Sequence, residues 1–224
     1  MSGLDPVLSG PDPLPDLAGV DAENPLVVVV SACLLGEPVG YDGSAFPSDP
    51  VQALCALPCV RAVPFCPETH AMGVPRRWMT IHGGDGFAVL DGTAKVVNVD
   101  GRDLSDHFRL GAQAMLTLAR SEGARLAILT DISPSCGSTV IYDGEKQPET
   151  AYRSGTGVTA ALLRRYGLAV VSQRDARTLG VLREALDPSY QADPDAHDHI
   201  DGPWYRQTFL EPAPPSPDPV LIEE

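Results

Sequence analysis

The sequence predicts an α/β fold of three layers, with helices on both faces of a mostly parallel sheet and a β-hairpin insertion. Three observations carry that expectation. Short apolar runs rich in β-branched residues recur along the 224 residues: Leu26-Val27-Val28-Val29-Val30-Ser31, Val60 to Phe65, Leu126-Ala127-Ile128-Leu129 and Leu168-Ala169-Val170-Val171. Runs of this kind read as strands buried on both faces of a parallel sheet. Stretches with helical periodicity fall between them, the alternation that builds layered α/β domains. The first three runs lead into cysteines, Cys33, Cys66 and Cys136. In open α/β sheets ligands bind just outside the carboxyl ends of the strands, so three thiols from three strand ends are expected to meet at one sheet edge.

The elements follow in order. Residues 1–24 interleave Pro6, Pro11, Pro13 and Pro15 with Asp5, Asp12 and Asp16, a composition expected to form a disordered arm ahead of a domain over 25–186. Strand one ends at Ser31. Cys33 and Leu34-Leu35-Gly36 follow, then a turn at Tyr41-Asp42-Gly43. Ser48 or Asp49 caps a short helix with Pro50 in its first turn and apolar residues through Leu57. Strand two delivers Cys66, followed by an irregular stretch containing Gly73-Val74-Pro75-Arg76-Arg77 and His82-Gly83-Gly84-Asp85-Gly86. Phe87–Leu90 and Thr93–Val97 flank Asp91-Gly92 and read as the β-hairpin.

A helix spans about Leu104 to Ser121, with Phe108, Ala112, Met115 and Ala119 on one stripe and Gly123 placed to end it. After strand three and Cys136, Ile141-Tyr142-Asp143-Gly144 reads as a turn. Gly155-Thr156-Gly157 leads into a helix over Val158–Tyr166, closed by Gly167. The last strand is followed by Ser172 as a cap for a helix over Asp175–Leu186. From Asp187 to 224, Pro, Asp and His dominate, and an extended tail is expected.

Thirty acidic against sixteen basic residues give a net charge of −14. That balance argues against a general nucleic-acid or anionic-membrane binder, both of which need Lys and Arg clusters, and leaves room for a small uncharged substrate or a structured RNA docking on a local basic patch. No run approaches membrane-spanning length. The first residues lack the basic and apolar regions of a signal peptide, so the cytoplasm is the expected compartment. Five cysteines, an odd number, do not suit a disulfide framework; metal binding or catalysis is the better reading for those at strand ends.

A thiolate at a strand end that feeds a helix is expected to have a lowered pKa, since unpaired backbone N–H groups favour the anion. Three such thiolates suit zinc or an iron–sulfur cluster. Closed structural zinc sites usually take four ligands, often as close pairs; here the three are far apart in sequence and no fourth partner is evident. The competing reading is packing, because free cysteine is among the most buried residues. Packing is the reading preferred for Cys55, inside an apolar helix, and Cys59, beyond the helix-breaking Pro58. Gly155-Thr156-Gly157-Val158-Thr159 reads as a helix entry before an anion seat. Arg76 and Arg77 are candidates to aid an anionic group, with a solvated pair as the bland alternative. His197 and His199 form an H-x-H in the polar tail, with no carboxylate or cysteine partner forced near it for metal binding.

Taken jointly, Val30-Ser31-Ala32-Cys33-Leu34-Leu35-Gly36, Tyr41-Asp42-Gly43, Cys66-Pro67-Glu68, Pro75-Arg76, Ser133-Pro134-Ser135-Cys136-Gly137 and Gly155-x-Gly157-Val158-Thr159 resemble the bacterial thiouracil desulfidases over roughly residues 26–173. The chain departs from that pattern at Thr130, where relatives commonly carry Lys, and over Thr69–Gly73. The resemblance implies a Rossmann-like domain with a 4Fe–4S cluster held by Cys33, Cys66 and Cys136, its fourth iron left to take sulfur from a small thio-substrate.

An iron with an open position can polarise C=S and accept the sulfur, while a nearby acid/base activates water and protonates the ring. Glu68, two residues past a ligand cysteine, is the candidate acid/base, with a shifted pKa expected beside a partly buried cluster. Ser133 and Ser135 are candidates to orient it or the water. Two other readings stand beside this one: a cysteine-nucleophile hydrolase using Cys136 next to Ser133 and Ser135, which lacks an adjacent His base, and a non-catalytic metal-binding or redox-sensing module.

Overall fold

The structure, a computed structural model, describes residues 11–144 and 151–210. In chain order its elements are β1 (Leu26–Ser31), α1 (Asp49–Cys55), β2 (Val60–Phe65), α2 (Pro67–Met72), β3 (Met79–His82), α3 (Gly86–Leu90), β4 (Lys95–Asn98) and α4 (Ser105–Ser121). There follow β5 (Leu126–Leu129), β6 (Val140–Tyr142), β7 (Tyr152–Ser154), α5 (Val158–Arg165), β8 (Ala169–Ser172) and α6 (Ala176–Leu186).

The central sheet has the order β2-β1-β5-β8, parallel throughout, with Val28 opposite Ala62 and Leu126, and Ile128 opposite Val171. Its strands are apolar on both faces because both faces are covered. Val29, Ala127, Leu129 and Val170 point into one core with Phe108, Ala112 and Met115 of α4 and Val158 and Leu163 of α5. Leu26, Val28, Val30, Leu126, Ile128 and Val171 point into the other with Val51 and Leu54 of α1 and Leu179 and Leu182 of α6. This is the three-layer, Rossmann-like arrangement expected from the order of strands and helices. Each fully buried Val, Leu or Ile in these cores contributes about 1.5–3 kcal/mol by leaving water.

Three local expectations change. The run Phe87–Leu90 is helix, not strand: the Asp85 carboxylate accepts the amides of Phe87 at 3.0 Å and Ala88 at 3.3 Å and so caps α3. An apolar run of four does not distinguish helix from strand by periodicity, and here the cap decided it. β4 therefore pairs antiparallel with β3, Ile81 opposite Val96, across a helical connection. The expected turn at Ile141–Gly144 begins as strand β6, which pairs antiparallel with β7.

The terminal segments change most. Residues 1–10 lie outside the described residues, but 11–24 do not form a disordered arm. The Asp12 carboxylate pairs with Arg164 at 2.9 Å and accepts the Val170 amide at 2.8 Å, and Leu14, Leu17 and Val20 pack on the α1–α6 core. Three apolar side chains spaced through the arm are enough to dock it. In the tail, Asp198 and His199 are buried, and short helical segments run through Pro203–Tyr205 and Arg206–Leu210. No described helix is long and apolar enough to cross a membrane.

Candidate active site

The strand-end rule holds for the three cysteines. Cys33 lies in the 3-10 turn Ala32–Leu35 directly after β1, Cys66 is the N-cap of α2 directly after β2, and Cys136 lies in the loop after β5. All three line one cavity of about 490 Å³, with Glu68, Arg76, Thr130 and Ser133. Among the described residues no three His, Cys, Asp or Glu side chains draw together tightly enough to hold a metal ion. The three thiols line that cavity from three separate strand ends. That donor set fits a polynuclear iron–sulfur cluster, whose irons each take their own thiolate, better than a lone zinc ion.

Each thiol has a distinct setting. Cys66 accepts the Thr69 amide at 3.4 Å, as an N-cap should. Cys33 Sγ lies 2.9 Å from Thr130 Oγ1. Burial pushes the Cys33 thiol up, partly opposed by Thr130 and reinforced by Cys66 and Glu68. Cys136 is pushed up furthest by burial, with a hydrogen bond to Ser31 opposing and Cys66, Glu68 and Cys33 reinforcing. The expected lowering of pKa at the strand ends therefore fails for these two, because desolvation outweighs the backbone dipoles.

The loop carrying Cys136 is tied down from three sides. Ser133 Oγ accepts the amides of Ser135 at 3.1 Å and Cys136 at 3.0 Å. The first amides of α5 are spent on the same loop, Val158 on the Pro134 carbonyl at 2.9 Å and Thr159 on that of Ser135 at 2.8 Å. The Gly155–Thr159 stretch is thus a helix entry with no free amides for an anion. Gly157 is needed there, since a Cβ would stand 2.5 Å from the Ser135 carbonyl.

The third anchor is Asp131, completely buried. Its Oδ1 accepts the amides of Ile132, Ser138, Thr139 and Val140 at 2.9–3.3 Å, and its Oδ2 accepts from Thr139 Oγ1 at 2.8 Å and His199 Nδ1 at 2.6 Å. Burial alone would raise its pKa, but His199, Thr139 and the Ile132 amide bring it below the usual carboxylate range. Ile132 is held at φ 55°, a conformation a β-branched side chain rarely adopts.

Glu68 and Ser133 meet, with Ser133 Oγ donating to Glu68 Oε1 at 3.4 Å. Glu68 Oε2 pairs with Arg76 Nε at 2.9 Å, and both side chains are mostly buried, at 12% and 8% exposure. Arg76 also donates to the carbonyls of Val39 at 3.0 Å and Gly73 at 3.3 Å, and its amide donates to the Tyr41 carbonyl at 2.7 Å. It locks the Val39–Tyr41 loop to α2 and is no solvated residue. Arg77 is the exposed one, paired with Asp100.

Ser135 is placed apart from the other candidates. It is buried against α5, its hydroxyl 2.8 Å from Thr159 Oγ1, and it does not line the cavity. Cys55 and Cys59 pack in the α1–α6 core; burial pushes the Cys55 thiol up to about 11, and Cys59 donates to the Leu186 carbonyl at 3.6 Å.

An aromatic wall completes the cavity. Tyr41, Trp78, Tyr142 and Tyr152 make successive ring contacts, with centroids 5.2, 4.5 and 5.4 Å apart. Tyr41 and Tyr142 read only as parts of turns in the sequence, and the wall itself is not legible there, because its rings come from the loop after β1, the approach to β3, and the β6–β7 pair. Asp131 is equally hidden, and Arg76 and His199, though singled out, read without the carboxylates that the fold brings to them, Glu68 and Asp131. Asp131, next to the end of a strand and just ahead of Ser-Pro-Ser-Cys, is the one whose position offered a clue.

Comparison with known proteins places this geometry among relatives. The family model described as 2-thiouracil desulfurase matches residues 28–175. The chain is 38% identical over 150 residues to the uncharacterized protein YbbK of Bacillus subtilis (strain 168), covering 66% of this chain and 97% of that protein. Its structure is similar to that of a [4Fe-4S]-dependent thiouracil desulfidase, TudS, with a TM-score of 0.59 and 37% identity, covering 70% of this chain and 97% of the other.

Proposed function

Because this chain belongs to the 2-thiouracil desulfurase family, we propose that it removes sulfur from a thiolated nucleobase or related small thio-compound, using a [4Fe–4S] cluster held by Cys33, Cys66 and Cys136. The single observation that carries the reading is the convergence of three thiols from three strand ends on one cavity. When bound, the cluster supplies an iron without a protein ligand, a Lewis acid able to accept sulfur.

The net change is addition of water, loss of hydrogen sulfide and exchange of C=S for C=O. The protein's part is to manage the protons and the ring. Glu68 takes a proton from the attacking water and returns one to the departing sulfur or a ring nitrogen. Arg76 fixes the carboxylate through Oε2, leaving Oε1, with its longer contact to Ser133, as the working oxygen. Ser133 orients that oxygen while its Oγ also holds the Cys136 amide. The rings of Tyr41, Trp78, Tyr142 and Tyr152 flank a flat heterocycle and keep bulk water from it. The reducing cytoplasm, which keeps such cysteines as free thiols, is the compartment this reading requires.

A cysteine-nucleophile hydrolase fits less well. Burial pushes the Cys136 thiol up, and among the described residues no histidine lines the cavity to act as its base.

The test is anaerobic purification with iron and sulfide analysis, followed by turnover of 2-thiouracil and other thiobases with sulfide release as readout. Iron-loaded protein that releases sulfide supports the reading. Protein that stays colourless and iron-free after reconstitution, or loaded protein inert toward all thiobases tried, overturns it.

A further inference from the structure

The matched family region ends at residue 175, yet a side chain from beyond it reaches the loop that carries Cys136. We propose that His199 is a positioning residue: by donating from Nδ1 to Asp131 it holds the buried carboxylate that shapes the Cys136 loop. The contact is short, 2.6 Å, between an imidazole 6% exposed and a carboxylate with no exposure. The carboxylate in turn gathers the amides of Ser138, Thr139 and Val140, which begin two residues after Cys136, and that of Ile132, which precedes it. A buried carboxylate with four backbone amides on Oδ1 is a rigid node, but its Oδ2 must also be satisfied by side-chain donors. His199 Nδ1 makes the shortest of those contacts, at 2.6 Å, beside Thr139 Oγ1 at 2.8 Å.

The tail is built to present this ring. The His199 amide donates to Asp175 Oδ1 at 3.0 Å, and Asp198 accepts from both the amide and hydroxyl of Thr178 at 2.8 and 2.9 Å. Trp204 stacks on the imidazole, 5.2 Å between centroids and 18° between planes. The Nε2 atom is buried without a hydrogen-bond partner, so the ring's one strong polar contact is with Asp131. The same Trp204 meets Tyr152 at 5.3 Å and Tyr205 lies 2.6 Å from the Ser154 hydroxyl, which ties the segment to the aromatic wall as well.

The inference rests on the reading of Cys136 as a cluster ligand, so it is tested first without a cluster. Amide hydrogen exchange is measured in the apo protein for the parent, His199→Phe and His199→Asn, and then iron content after reconstitution. Phe keeps the flat ring against Trp204 but has no donor; Asn keeps a donor near the place of Nδ1 but no ring. In His199→Phe the amides of Ser138, Thr139 and Val140 should exchange about tenfold faster or more, as expected when a buried charged hydrogen bond is lost, and retained iron should fall. His199→Asn should stay close to the parent in both.

Parental exchange in His199→Phe overturns the proposal, as does any loss in His199→Asn that matches or exceeds that in His199→Phe, since ring packing would then be all that matters. If His199→Phe does not fold, His199→Asn decides: parental exchange supports the proposal, and altered exchange or unfolding overturns it. Should the parent take up no iron, the cluster reading fails while the exchange result still judges the clamp.

Discussion

Glu68 is held at both oxygens, by Arg76 on one side and Ser133 on the other, and this makes its contribution separable from that of its neighbours. Glu68→Gln keeps the shape and a hydrogen-bond acceptor but cannot exchange a proton, so iron loading should persist while turnover falls by about a hundredfold to ten-thousandfold; iron-matched rate measurements check this. Removing the other half of the pair acts on stability. Arg76→Met leaves the Glu68 carboxylate unpaired in a mostly buried setting and frees the Val39–Tyr41 loop, with an expected cost of about 3–5 kcal/mol in urea unfolding. Cys33→Ala, Cys66→Ala and Cys136→Ala should each lose the cluster by iron analysis, while Cys55→Ala and Cys59→Ala, in the α1–α6 core, should keep it. The cysteines were legible because their residue type is rare and their place at strand ends carries meaning. Arg76 was visible as a residue but its pairing with Glu68 was not, because burial and pairing are properties of what folds around a residue.

Among the elements, α2 matters most to the site, since Cys66 caps it and Glu68 lies in its first turn. Its position is set by α4 at Gly111, where a Cβ would drive into the Pro67 carbonyl. Alanine would favour the isolated helix by about 1 kcal/mol, but the overlap with rigid backbone costs about 1–3 kcal/mol and shifts α2. Gly111→Ala should therefore lower both the melting temperature and iron uptake. α5 acts in the same way from the other side, docking its first amides on the Cys136 loop. The sequence marks α4 by its apolar stripe and α5 by the glycines at its two ends, whereas α3 reads as strand because its identity lay in the Asp85 cap.

For the molecule as a whole, residues 11–24 and the described part of the tail pack against the core. Deleting residues 1–22 removes the packing of Leu14, Leu17 and Val20 and the Asp12 partner of Arg164, which also donates to the Ser138 carbonyl at 2.6 Å. Partial burial of three apolar side chains gives an expected loss of about 2–4 kcal/mol, measurable by urea unfolding. The pH response has two opposing parts. Burial, reinforced by the Asp198 and Asp131 carboxylates, pushes Asp175 up from 3.8 to about 6 against its bonds to the His199 and Ser172 amides. The folded state therefore holds a proton that the unfolded chain gives up, and stability falls by about 3 kcal/mol as pH rises between those two values. Asp131 has the opposite sign: its stabilisation is present above its unfolded value and is lost as pH falls through the lower folded one. Stability should rise on mild acidification from neutral pH and collapse only in stronger acid. In Asp175→Asn the change over the mild range should flatten.

What the sequence determined alone was the part that is local or periodic. Apolar runs of strand length, helical stripes and cysteines at strand ends are set by neighbours along the chain, and they led to the layered parallel sheet and to Cys33, Cys66 and Cys136 at one edge. Glu68 and Ser133 came with them, being tied to those cysteines by short spacing. The tertiary structure alone decided which polar groups the fold would bury together. Asp131 meets His199 across 68 residues and Cys33 meets Thr130 across 97, while Asp12 meets Arg164 across 152. Such pairs leave no periodic trace. Desolvation turns them into anchors, and desolvation exists only once the chain has closed around them.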